Sequence, residues 1–126
     1  MGEVATHYSS FDRRGWRWLL QRLTAAFLVV VLAFHFFLLH FVHHAADITF
    51  AGTRVRMSNL GYFATMWLFL VTATFHGVNG VYNALVNQGI AGTQKRAAQV
   101  VLVLAGVLLV VQGTRVAVAM AGIASV

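Results

Sequence analysis

The stretch MSNLGYFATMWLFLVTATFHGVNGVYNALVNQGIAGTQ, Met57 to Gln94, contains no Asp, Glu, Lys or Arg. A membrane-spanning helix needs roughly 20 mostly apolar residues, and this run holds one with polar residues at both ends. Two more charge-free runs flank it, Leu23 to Ala46 and Ala97 to Thr114. Together they predict three spans, at about 18–42, 60–86 and 97–121. Only helices and closed barrels satisfy backbone polar groups in lipid. Barrel strands would be segments of about 9–11 alternating residues, so these long runs are helices. The expected fold is an all-α integral membrane protein, with residues 1–126 forming one domain.

Composition agrees. Of 126 residues, 60% are hydrophobic and 10% charged, against about 25% charged in an average soluble domain. With no cysteine, the chain builds no disulfide scaffold, thiolate zinc site, iron–sulfur cluster or covalent C-x-x-C-H haem attachment. The net charge is +6, but the basic residues form no single patch, so nucleic-acid binding is not expected. There is no Gly-rich phosphate loop. The first span is too long, and follows too polar a start, for a cleaved signal peptide.

Orientation follows the basic residues. Arg13, Arg14, Arg17 and Arg22 precede or open the first span, and Lys95 and Arg96 lie in the second loop. Arg54 and Arg56 share the first loop with Asp47. The bias of six to two places the N-terminus in the cytoplasm and the C-terminus outside. Ser9-Ser10-Phe11-Asp12 is a candidate cap for a helix leading into the first span. Trp16, Trp18, Tyr62 and Trp67 are candidate interface anchors. No internal repeat is evident.

Polar residues at membrane depth are costly and point to function. At about 100° per residue, Thr65, Phe69, Thr72, Ala73, His76, Asn79, Gly80, Asn83 and Asn87 share one face of the second span. That stripe is expected to face protein, water or a cofactor. Gly77 and Gly80 beside His76 remove side chains that would hold off a flat ligand. Close helix packing through Ala73, Gly77, Gly80 and Ala84 is the alternative.

In the first span Arg22 and His40 are five turns apart and share a face with Ala26, Val29 and Ala33. His35 points away, among Leu28, Val31 and Leu39. The small-residue face is the expected helix contact, which favours His40 over His35 as a buried ligand. A histidine bonded to a neighbouring helix is the other reading of His35. His43 and His44 fall at the outer interface. With no acidic partner in its helix, His76 suits metal ligation better than proton relay, because burial favours the neutral, ligating imidazole. Zinc is disfavoured without thiolates or carboxylates. Haem b needs no cysteine and suits a histidine flanked by glycines.

Gly15-Trp16-Arg17-Trp18-Leu19-Leu20-Gln21-Arg22-Leu23-Thr24-Ala25 resembles the start of the first span in succinate dehydrogenase membrane anchors, with its W-L-x-x-R-x-[ST] pattern. Phe75-His76-Gly77-Val78-Asn79-Gly80-Val81-Tyr82-Asn83-Ala84-Leu85 resembles their second-span haem motif, H-x-x-x-G. The resemblance covers essentially the whole chain and is closest to the small D-type anchor of archaeal enzymes. It implies a plasma-membrane subunit that shares one or two haems b with a sister anchor. A flavoprotein and an iron–sulfur subunit would dock on the cytoplasmic side, and electrons from succinate would pass to a quinone. His76 matches the axial haem ligand, and Arg22 matches the quinone-site arginine, with Trp18 one turn away. An Asp-Tyr pair of bacterial D-type anchors falls here on Asn87 and Gln88, so the quinone-contacting tyrosine is not carried over, and Tyr82 lies elsewhere on the helix.

Depth fits this reading. His76 lies roughly 15 Å from the inner end of its span, and His40 roughly 27 Å above Arg22. The resemblance allows one haem or two; a mid-bilayer haem on His76 and a second, outer one on His40 would be stacked by these positions, with His76 and His40 as the metal ligands. Arg115, roughly 27 Å along the third span from Ala97, either snorkels to the outer interface or pairs with an outer haem propionate. Gly113, Ala117 and Ala121 form a small-residue seam, expected to be a helix contact. The rival readings are a fumarate reductase anchor, a haem-free scaffold and a small channel subunit.

Overall fold

The computed structural model describes residues 13–123. The proposed cap at Ser9-Ser10-Phe11-Asp12 lies outside them. Helix α1 spans Arg13–Phe37 and continues through a π-helical turn at Leu38–Val42. A 3-10 turn at Ala45–Asp47 leads to a short helix α2, Phe50–Ser58. Helices α3, Leu60–Asn87, and α4, Gly92–Met120, complete the chain. No strand occurs among the described residues. Three helices are long and apolar enough to cross a membrane: Gly15–Val42, Leu60–Asn87 and Gly92–Met120.

The expected spans hold at most of their ends, with two differences. The first loop is not plain coil. The Thr49 side chain accepts the Gly52 N–H at 3.1 Å and so caps α2, placing Arg54 and Arg56 on a helix. Asn59 then ends α2 and caps α3 by accepting the Tyr62 N–H. The second loop is also shorter than expected. Gly89, at φ 94°, takes the left-handed conformation after α3. The Gly89 and Ile90 amides bond back to the Val86 and Leu85 carbonyls, a closing arrangement that satisfies orphan helix-end carbonyls. α4 therefore starts at Gly92, and Lys95 and Arg96 belong to its first turns rather than to a loop.

α3 is the central helix, packed against both α1 and α4. Small residues set the α3–α4 distance. A Cβ on Gly113 would lie 2.6 Å from the Leu70 side chain, and one on Gly106 would lie 3.1 Å from Val78. In lipid, such close approach gains dispersion contacts where no hydrophobic force acts between helices. The expected role of Gly113 as a packing position is thus met. Trp67 Nε1 donates to Thr114 Oγ1 at 3.0 Å and ties the first half of α3 to the second half of α4. Val31 and Met57 are the buried apolar side chains among the described residues, and apolar side chains such as Val29, Leu104 and Leu108 face outward.

Candidate functional site

The α1–α3 contact is built around polar groups. His76 on α3 meets Gln21 and Thr24 on α1, one turn apart on the same face. Thr24 Oγ1 lies 3.1 Å from His76 Nδ1 and 2.7 Å from the Leu20 carbonyl oxygen. A hydroxyl has one hydrogen and a carbonyl can only accept. The Leu20 carbonyl is the nearest acceptor for that hydrogen, and with the hydrogen placed there the bond to His76 is donated by Nδ1–H. Gln21 Nε2 lies 3.2 Å from the His76 carbonyl oxygen and 3.4 Å from His76 Nε2. Gln21 Oε1 accepts from Asn79 Nδ2 at 2.8 Å. The donors run in one direction, from Asn79 through Gln21 and His76 to Thr24 and the Leu20 carbonyl.

Asn79 and Thr24 are buried, while His76 and Gln21 are half-buried. Gly80 makes room for this cluster, since a Cβ there would lie 3.3 Å from Gln21 Nε2. Gly77, next to His76, has nothing within 4 Å of where its Cβ would be. Of the two glycines expected to leave space for a flat ligand, Gly80 is therefore filled by Gln21 of the same chain and Gly77 is open.

The polar stripe of the second span divides. His76, Asn79 and Gly80 face α1. Thr65 and Thr72 satisfy themselves by donating to the Gly61 and Leu68 carbonyls, the local back-bonding open to Ser and Thr within helices. Asn83 and Asn87 are exposed.

The expected contact face of α1 is corrected. Ala26, Val29, Ala33 and His40 are exposed, whereas Thr24 and Val31 are buried and Gln21 and His35 half-buried. Polar partners on α3 choose the face: Gln21 and Thr24 find His76 and Asn79, and that bonding outweighs the small residues on the opposite side. His40, inside the π-helical turn, shares the exposure of Ala26, Val29 and Ala33. His40 is not a buried residue. Its ring stacks on Phe36 with centroids 4.2 Å apart, and its Nδ1–H donates to the Phe36 carbonyl oxygen at 3.0 Å. His35, set aside by the helical wheel, carries a buried Nδ1 with no partner.

Arg22 and Trp18 meet as expected from their spacing. The guanidinium carbon lies 4.3 Å from the Trp18 ring centroid, a cation–π contact, and both side chains are exposed. Arg115 is exposed on α4. On the far side of Asn79, a cavity of about 210 Å³ opens among α1, α3 and α4, with Arg17, Tyr82 and Gln99 as polar lining and Phe75 and Val78 as apolar walls. Sequence reasoning used Arg17 for orientation and Thr24 as the [ST] of the first-span pattern, but gave neither of them, nor Gln21, a place in the site. A partial signal for Gln21 and Thr24 was available: a polar pair three residues apart, flanking Arg22 at the start of the first span.

The residues fit an axial haem ligand on His76. Nδ1–H is anchored, so Nε2 keeps its lone pair, and its neighbour is the end of a flexible glutamine at the longest distance in the cluster. Among the described residues no three His, Cys, Asp or Glu side chains gather into a metal site. A haem iron, held in plane by its porphyrin, asks the protein only for axial ligands.

Residues 4–113 match the family described as succinate dehydrogenase/fumarate reductase transmembrane subunit. No curated protein and no solved structure matches the chain. Three apolar helices of spanning length among the described residues are consistent with such a subunit, and the match covers most of the sequence; the chain belongs to the succinate dehydrogenase/fumarate reductase transmembrane subunit family.

Proposed function

We propose that the chain is a small D-type anchor of a succinate dehydrogenase in the plasma membrane, with His76 as an axial ligand to haem b. The observation that supports this most is the contact of His76 Nδ1 with Thr24 Oγ1 at 3.1 Å, beside a Leu20 carbonyl 2.7 Å from the same hydroxyl: this arrangement favours the proton on Nδ1 and leaves Nε2 as the ligating nitrogen. Metal-bound histidines characteristically have the second nitrogen held this way. A bound haem supplies a one-electron relay. The chain's own part is to fix the imidazole, to clear space at Gly77 and to hold the group in a water-poor setting. A sister anchor would supply a second haem ligand, and an iron–sulfur subunit and a flavoprotein would dock on the cytoplasmic face. The direction of turnover rests with the quinone and the flavoprotein.

His40 is the proposed ligand of a second, outer haem. Its Nδ1–H is held by the Phe36 carbonyl, and its exposed ring is open to a sister subunit, which supports this reading. Arg115 is the proposed partner of an outer haem propionate. Arg22 and Trp18 are proposed to line the quinone site at the cytoplasmic end, where the guanidinium stabilises negative charge developing on a quinone oxygen.

Replacing His76 with Ala tests the central claim. The purified complex should lose or reshape its b-type spectrum. An unchanged spectrum and redox titration would leave a haem-free scaffold as the better reading. In a two-haem complex, His40→Ala should remove one redox component while His35→Ala leaves both, and the reverse result would transfer the role to His35.

A further inference from the structure

We infer that Thr24 is a positioning residue for haem ligation: it holds the proton of His76 on Nδ1 and so directs the Nε2 lone pair toward the place occupied by the Gln21 amide. The inference rests on the proposed role of His76. A free neutral imidazole can carry its proton on either nitrogen, and only the unprotonated one can bind iron. Here the choice is made by a residue on another helix. Thr24 Oγ1 donates to the Leu20 carbonyl oxygen at 2.7 Å and has a second carbonyl, that of Gln21, at 3.1 Å. With its single hydrogen drawn to backbone carbonyls, the oxygen offers His76 Nδ1 only lone pairs at 3.1 Å. Burial of Thr24, at 9% exposure, leaves little room for water to replace it.

Gln21 completes the arrangement from the other side. Its amide nitrogen has two hydrogens, one directed at the His76 carbonyl at 3.2 Å and the other at His76 Nε2 at 3.4 Å. The shorter bonds of Gln21 are those to Asn79 and to the His76 backbone. Release of Nε2 therefore gives up the weakest bond of the cluster. In the chain without haem, Gln21 satisfies the nitrogen that the metal would take.

The test uses the full chain, labelled with nitrogen-15 at histidine and held in lipid nanodiscs, alongside the intact complex. In the wild type, the His76 signals should show protonation at Nδ1. Thr24→Val, nearly isosteric but without the hydroxyl, should give mixed tautomers. The complex carrying it should bind haem about 10-fold or more weakly, the range seen when a partner behind a metal ligand is removed, with a shifted haem midpoint potential. Thr24→Ser, which keeps the hydroxyl and loses the methyl, should restore all three. Two results would overturn the inference: a Val variant with wild-type tautomer, haem affinity and potential, or a Ser variant that behaves like Val. If His76→Ala retains the haem spectrum, the ligand assignment fails, while the nitrogen-15 measurement still reads the Thr24–His76 bond directly.

Discussion

His76 Nδ1 meets Thr24 Oγ1 at 3.1 Å across the α1–α3 contact, and the Leu20 carbonyl, 2.7 Å from the same hydroxyl, draws its hydrogen away and favours His76 as the donor. Helix α1 thus decides the protonation pattern of a side chain on α3. The same contact brings Gln21 against Gly80 and Asn79, so packing and hydrogen bonding are satisfied together by Gln21 and Thr24 on α1 and by His76, Asn79 and Gly80 on α3.

Gln21→Leu should weaken the α1–α3 contact, since it leaves the buried Asn79 amide without its acceptor. Interhelical hydrogen bonds in membranes contribute about 0.6 kcal/mol on average and up to about 1.7 kcal/mol. A double-mutant cycle with Asn79→Ala, read by reversible unfolding in bicelles, should give a coupling energy in that range. A coupling indistinguishable from zero would mean that the bond contributes nothing to the contact.

Gly113 and Gly77 should respond oppositely to enlargement. A Cβ on Gly113 falls 2.6 Å from Leu70, whereas Gly77 is open. Gly113→Ala should destabilise the α3–α4 pair by about 1–3 kcal/mol, the usual cost of overpacking. Gly77→Leu should leave the unfolding of the isolated chain unchanged but reduce haem content of the complex. Equal unfolding penalties at both sites would contradict the packing described above.

Arg22→Leu should sharply reduce quinone-dependent turnover and spare succinate oxidation with a dye that accepts electrons from the soluble subunits. Trp18→Ala should act in the same direction through the lost 4.3 Å cation–π contact. Parallel loss of both activities would assign Arg22 to assembly, and loss of neither would make it an interface anchor.

The membrane orientation can be read by cysteine labelling, because the chain has no cysteine of its own. Thr93→Cys, near the start of α4, should react with an impermeant reagent from the cytoplasmic side, and Thr53→Cys, on α2, from the other. The reverse pattern would invert the topology drawn from the basic residues.

The spans were legible because charge-free length is a property of the chain alone, and Leu60 and Val86 were placed within one residue of the helix ends. The capped helix α2 was missed: Thr49 and Asn59 are common polar residues, and their capping role depends on backbone dihedrals. His76 stood out as an ionisable group at membrane depth. Its partners did not, because the helical wheel ranked the faces of α1 by residue size. That rule chose Ala26 and Ala33, whereas the structure joins the helices through Gln21 and Thr24. Which rule prevails depends on whether the facing helix offers complementary polar groups at the same height, a fact no single span contains.

Few side chains are enclosed by this fold: Thr24, Val31, Met57 and Asn79, together with Gly106, fall in the buried class among the described residues. Tolerance to substitution should follow that division. Along the outward faces of α1 and α4, at Val29, Val30, Val101 or Leu108, exchanging one apolar residue for another of different shape meets no internal neighbour, so the fold of the isolated chain constrains hydropathy there more than identity. The constraint on shape and chemistry is confined to a thin seam around α3. A saturation library scored for folding of the subunit by itself would therefore trace that seam, and any additional intolerance in the assembled complex would map the surfaces its neighbours require.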